Sequence, residues 1–130
     1  MTSRFLLDSF AWIEYFSGSK QGERVKELLE KESCYTPVIV FAELSGYYAK
    51  NNIDSWQKDR EFIQSKTPVL QMSNDLASTA GKLKEFVRNK YKNNFGLADA
   101  IILASARSLG AKVVTGDHHF KAFKNVEFLE

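Results

Sequence analysis

Arg4-Phe5-Leu6-Leu7-Asp8-Ser9-Phe10-Ala11-Trp12-Ile13-Glu14-Tyr15-Phe16 is the stretch from which the fold is read. Phe5, Leu6 and Leu7 form a continuous apolar run. A strand covered on both faces by helices has this character, because a parallel sheet is buried on each side. The run stops at a carboxylate, Asp8. Ser9 then offers a hydroxyl to cap a helix, and Phe10, Ile13 and Tyr15 or Phe16 begin a helical repeat. A buried strand therefore ends in an acid where a helix departs, and in open α/β sheets ligands bind at the carboxyl ends of strands.

Outward from this stretch, strands and helices alternate. Gly22 to Lys31 predicts a surface helix with Val25, Leu28 and Leu29 on one face, and Cys34-Tyr35-Thr36 a short second strand. Thr36-Pro37 reads as a helix start, a capping hydroxyl followed by proline at the first helical position. The segment after it, Val38 to about Lys50, mixes strand and helix propensity and is read as a buried helix, since Pro37 disfavours a central strand. Asp54 is placed to cap a helix carrying Trp56, Phe62 and Ile63, and Pro68-Val69-Leu70 predicts a third strand. Asn74 or Asp75 caps a long helix whose apolar positions Leu76, Ala80, Leu83, Val87 and Tyr91 step by three and four. Leu97 to Leu109 is apolar all round, hence a buried helix, with Gly110 as its C-cap. Lys112 to Thr115 predicts a fourth strand and Val126 to Leu129 a weaker fifth. The pattern predicts an α/β fold, a three-layer α/β/α sandwich on a central parallel sheet of about five strands, as one domain over residues 1–130. If the fourth strand lies beside the first, Asp8 and Asp117 meet at the switch point of a doubly wound sheet.

Composition narrows the function classes. The 130 residues are 44% hydrophobic, enough for a core, and 18 basic against 16 acidic residues neither demand nor exclude nucleic acid. Cys34 is the only cysteine, which excludes an internal disulfide and a cysteine metal cluster and fits a reducing compartment. The apolar run before Asp8 is too short for a signal segment, and no run approaches the roughly 18 residues that cross a bilayer. A cytoplasmic protein with no membrane partner is expected.

Most acids on such a chain are solvated surface. Asp8 and Asp117 stand apart because each directly follows an apolar strand, although aspartate is also a common turn and cap residue. Glu43 and Asp99 sit early in helices among apolar neighbours, Phe41-Ala42-Glu43-Leu44 and Leu97-Ala98-Asp99-Ala100-Ile101. Acids so placed need a cation, a hydrogen-bond network or exposure at a helix end; Asp99 in a first turn also complements the helix dipole.

These residues resemble the motifs of PIN-domain nucleases, particularly the VapC-type toxins of toxin–antitoxin pairs. Asp8 to Phe16 is similar to the family's opening motif. Thr36-Pro37 ahead of Glu43-Leu44, Asp99-Ala100 opening an Ala-rich helix, and Thr115-Gly116-Asp117-His118-His119-Phe120 follow in the family's order. The resemblance spans essentially the whole chain, while the middle, about Lys50 to Asn94, carries no family signature. It implies four active-site acids, Asp8, Glu43, Asp99 and Asp117, with Ser9 and Thr115 as polar support. It also implies an RNA substrate, a homodimer and a cognate antitoxin. A metal-dependent endoribonuclease is the activity expected.

Four carboxylates brought close repel one another, and a divalent cation relieves the conflict. Oxygen ligands suit Mg2+, with Mn2+ as a substitute, rather than Zn2+. Asp8, Asp99 and Asp117 are assigned to the metal and Glu43 to the attacking water. His118 and His119 are read as surface or packing residues, and Trp12 as core. Lys84, Arg88 and Lys92 fall at i, i+4 and i+8 of the long helix, either as a stripe tracking RNA phosphates or as a solvated flank. An antitoxin would present an arginine or lysine to the acids, with Trp12, Tyr15 or Tyr47 as apolar contacts. A receiver-like signalling module fits poorly, since Leu70-Gln71-Met72-Ser73 supplies no phosphoacceptor aspartate. An aspartate-based phosphotransferase would want an acid where Phe10 stands. The alternative that stays open is an RNA-binding or partner-binding PIN-like domain with negligible turnover.

Overall fold

The structure, a computed structural model, describes residues 3–130. The first strand, β1 (Arg4–Leu7), leads into α1 (Ser9–Ser17) and α2 (Lys20–Lys31). Then come β2 (Ser33–Pro37), α3 (Val38–Lys50), α4 (Trp56–Lys66) and β3 (Val69–Leu70). The chain closes with α5 (Asn74–Tyr91), α6 (Leu97–Leu109), β4 (Lys112–Thr115), a 3-10 turn (His118–Phe120) and β5 (Val126–Phe128). The sheet has the order β3-β2-β1-β4-β5, parallel throughout. β1 therefore lies at the centre, with Leu6 opposite Tyr35 on one side and Val113 on the other. Chain progression reverses between β1 and β4, so the exits of these two strands face one crevice.

The core explains the apolar runs. Leu6, Leu7, Val113 and Val114 are wholly buried, and α6 buries every residue from Ala100 to Ala106. Trp12 is also wholly buried, at the centre of an aromatic cluster with Tyr15, Phe16 and Phe62.

A directional chain of hydrogen bonds runs through this part of the core. The Trp12 indole N–H donates to Thr36 Oγ1 (3.1 Å), the Thr36 and Thr67 hydroxyls are 2.7 Å apart, and Thr67 donates to the Ile63 carbonyl (3.1 Å). Trp12, Thr36 and Thr67 thus all have partners, and α1, β2 and the end of α4 are tied together. Two glycines permit the close packing around α1. A Cβ on Gly22 would collide with the Glu14 carbonyl across the α1–α2 contact, and one on Gly116 would collide with the Phe10 ring.

Several caps differ from the sequence reading. Asp8, not Ser9, caps α1, because its carboxylate accepts from Ala11 N (2.9 Å). β2 runs on through Pro37, which pairs with Leu70, so Thr36 turns into the core instead of capping α3. Ser55 rather than Asp54 precedes α4, and Ser73 caps α5 by accepting from Leu76 N (3.1 Å). At α1 and α5 a side chain one position before the expected one meets the free amide groups of the first turn, whereas Pro37 and Ser55 precede α3 and α4 without a side-chain cap. Tyr91, expected on the apolar face of α5, is 39% exposed. Among the described residues no helix is long and apolar enough to cross a membrane.

Candidate active site

Asp8 leaves the end of β1 and is 4% exposed. Its backbone N–H continues the sheet to Val114 O (3.4 Å), and its carboxylate caps α1. The Thr115 hydroxyl, from the last residue of β4, donates to the same carboxylate. Burial pushes the Asp8 carboxyl up from 3.8 to about 7, against the pull of the Thr115 and Ala11 donors; Glu43 and Asp117 push it further in the same direction.

Glu43 reaches the site from the second turn of α3. Burial raises its carboxyl, a hydrogen bond from the Ser9 hydroxyl opposes this, and the charges of Asp99 and Asp117 add to the rise. Its Oε1 is a buried oxygen with no hydrogen-bond partner. Asp99 stands in the first turn of α6, where Oδ2 lies 3.5 Å from Gly96 N. Burial and the neighbouring Asp117 raise it as well, against the Gly96 N–H and His119. Asp117 is anchored by its own turn: its N–H donates to Thr115 Oγ1 (3.0 Å), and its Oδ1 accepts from His119 N (2.9 Å). Four acids from β1, α3, α6 and the β4 exit thus share one electrostatic neighbourhood, with Ser9 and Thr115 each bonded to one of them.

The arrangement follows from the topology. The central strand and its neighbour deliver Asp8 and Asp117 side by side. The second turn of α3 adds Glu43 and the first turn of α6 adds Asp99. Such an oxygen-rich cluster suits a hard divalent cation, which needs several oxygen ligands. Orphaned Glu43 Oε1 and the raised proton affinities of Asp8, Glu43 and Asp99 mark a site short of positive charge.

His119, read from the sequence as a surface or packing residue rather than a metal ligand or general base, lies against two of the acids. His119 Nδ1 lies 3.2 Å from Asp117 Oδ1 and 3.8 Å from Asp99 Oδ2, and its Nε2 is 2.8 Å from Asn94 Oδ1. The available signal was an imidazole two residues beyond a strand-end acid, which a 3-10 turn folds back onto it. His118 packs against Phe128 instead, 5.7 Å between ring centroids.

The stripe on α5 is uneven. Arg88 Nε donates to Phe95 O (2.7 Å) and secures the loop before α6, Lys84 lies 3.2 Å from Glu85, and Lys92 is the left-handed C-cap of α5. Trp12, expected among the partner contacts, is sealed in the core and cannot serve. Tyr15 instead borders a groove of about 540 Å3 with Phe16, Lys58 and Phe62, and Tyr47 is 39% exposed.

Comparison with known proteins agrees with this geometry. No curated protein matches the chain. Solved structures with the same fold include a toxin–antitoxin complex from Klebsiella pneumoniae, at 24% identity and a TM-score of 0.74 over 96% of this chain and 97% of that one. VapBC2 from Rickettsia felis, bound to a promoter DNA fragment, aligns at 19% identity and a TM-score of 0.75 over 98% and 97%. VapC20 from Mycobacterium tuberculosis, described as a Sarcin-Ricin loop cleaving toxin, aligns at 17% identity and 0.76 over 97% and 99%. At such identities the likeness is one of fold. The sequence model of the PIN domain, however, matches residues 5–126, nearly the entire chain and all four clustered acids, and the chain belongs to the PIN domain family.

Proposed function

We propose that this protein is a divalent-metal-dependent endoribonuclease and the toxin of a toxin–antitoxin pair. The observation that carries the reading is the convergence of Asp8, Glu43, Asp99 and Asp117 at the sheet's switch point, with Asp8 held at about 7 in the absence of a cation. Asp8, Asp99 and Asp117 would hold Mg2+ or Mn2+. The bound ion would supply charge stabilisation at the scissile phosphate and a more acidic water.

The remaining work belongs to side chains. Glu43, whose Oε1 is uncommitted and whose proton affinity is raised, holds the attacking water and accepts its proton. Ser9 orients Glu43, and Thr115 orients Asp8 while its Oγ1 fixes the Asp117 backbone. The RNA substrate is supported by the family and by the Sarcin-Ricin loop cleaving toxin among the structural neighbours.

Neighbours in toxin–antitoxin complexes support an antitoxin partner. In this reading a basic antitoxin side chain, an arginine above all, enters the acid cluster as a bidentate fork, and an apolar segment rests in the Tyr15–Phe62 groove. A homodimer acting in the cytoplasm completes the proposal. The test is cleavage of single-stranded RNA by purified, partner-free protein. Cutting with Mg2+ or Mn2+ that stops with EDTA is the expected outcome, and equal cutting in excess chelator would refute it.

A further inference from the structure

We propose that His119 Nδ1 is a nitrogen ligand of the active-site cation, oriented by Asn94, and that it shifts the site's preference from Mg2+ toward Mn2+. The inference rests on the reading that the clustered acids hold a divalent ion. It adds a donor that composition and motif order did not point to.

The geometry joins two separate segments of the chain, the turn after β4 and the start of α6. His119 Nδ1, Asp117 Oδ1 and Asp99 Oδ2 can be chosen as three donor atoms all within 4.8 Å of one another. Neighbouring ligands on an octahedral ion with bonds of about 2.1 Å stand about 3 Å apart. The Nδ1 to Asp117 separation of 3.2 Å already has that value, and the 3.8 Å to Asp99 needs only a small side-chain adjustment.

The far side of the ring is equally defined. Asn94, in the loop before α6, places Oδ1 2.8 Å from His119 Nε2. An amide oxygen can only accept, so Nε2 carries a hydrogen, and in the neutral imidazole the nitrogen with the lone pair is Nδ1, on the side of the two acids. A metal-binding histidine is commonly oriented in this way, by an oxygen that accepts from its other ring nitrogen. The backbone restricts the ring further. His119 N donates to Asp117 Oδ1, and the next residue, Phe120, is wholly buried against Phe95. A nitrogen donor is better accepted by first-row transition ions than by Mg2+, which demands oxygen.

The experiment is pulsed EPR on the intact protein loaded with Mn2+, with Mg2+ competition followed through the free Mn2+ signal. Nitrogen-14 modulation on bound Mn2+ is expected in wild type and is lost in His119→Gln. That variant binds Mn2+ at least about tenfold more weakly while its Mg2+ affinity changes less. Asn94→Ala keeps the nitrogen coupling but weakens Mn2+ by about tenfold. If wild type binds Mn2+ without nitrogen modulation and Asp99→Asn abolishes that binding, the acids hold the ion and the assignment of His119 is overturned alone. Failure of wild type to bind Mn2+, or binding indifferent to Asp99→Asn, overturns the metal reading together with it.

Discussion

Asp8→Asn should make the metal-free protein more stable while removing most of its activity. Asp8 is 4% exposed, and its carboxyl is pushed from 3.8 to about 7, chiefly by burial. At about 1.4 kcal/mol per tenfold change in proton affinity, the ionised residue weighs against the folded state by about 4 kcal/mol. The sign follows from linkage: a raised carboxyl favours folding when protonated, so its contribution is fully present below 3.8 and is lost as the pH rises through about 7. Asparagine escapes that loss. Its amide oxygen can still accept from Ala11 N, since asparagine caps helices as well as aspartate does. Its NH2 can donate to Thr115 Oγ1, which already accepts from Asp117 N. The attraction of the carboxylate to the first-turn amides is already contained in that net shift, so the gain at pH 8 is at most about 4 kcal/mol. For a chain of this size that is a rise on the order of 10 °C in Tm. Thermal melts by circular dichroism in EDTA, from pH 4 to pH 8, test this alongside RNA cleavage. The variant's advantage should be largest at pH 8 and should shrink steadily toward pH 4. A variant no more stable than wild type at pH 8, or with the same margin at both ends, would show that burial of Asp8 is not the source of its raised proton affinity. Full cleavage by the folded variant would remove Asp8 from the active site.

Three further outcomes are open to measurement. Lys84→Ala should weaken RNA binding and flatten its salt dependence in a filter or fluorescence assay if α5 tracks phosphates; an unchanged salt slope assigns Lys84 to a solvated flank. Arg88→Ala should in addition lower stability by about 1 kcal/mol in urea unfolding, because the Phe95 carbonyl loses its donor. Thr36→Val strands the Trp12 indole N–H and removes the partner of Thr67, and should cost about 1–3 kcal/mol; a smaller loss would mean that the chain of hydroxyls re-forms around the valine.

Much of this protein was decided by local pattern. Apolar runs ended by acids located β1 and β4, and the all-apolar stretch from Leu97 to Leu109 with Gly110 after it located α6, because burial on every side leaves a mark that neighbours in sequence can carry. Asp8 and Asp117 stood out because each follows such a run, while the grouping of Asp8, Glu43, Asp99 and Asp117 as one site was implied by the resemblance to PIN-domain nucleases. The caps were less legible. Several side chains near each helix start can reach its free amides, and only the approach of the chain selects Asp8 over Ser9 or Ser73 over Asn74. Tertiary structure alone turned Thr36 inward, where Trp12 and Thr67 bond it, although its sequence context is that of a cap. It also folded the 3-10 turn so that His119 meets Asp99, and brought Asn94 to the other side of the ring. Those contacts join residues 20 and 25 positions apart, and no periodicity encodes them; they exist because β4 emerges beside β1 and the start of α6 faces the same crevice.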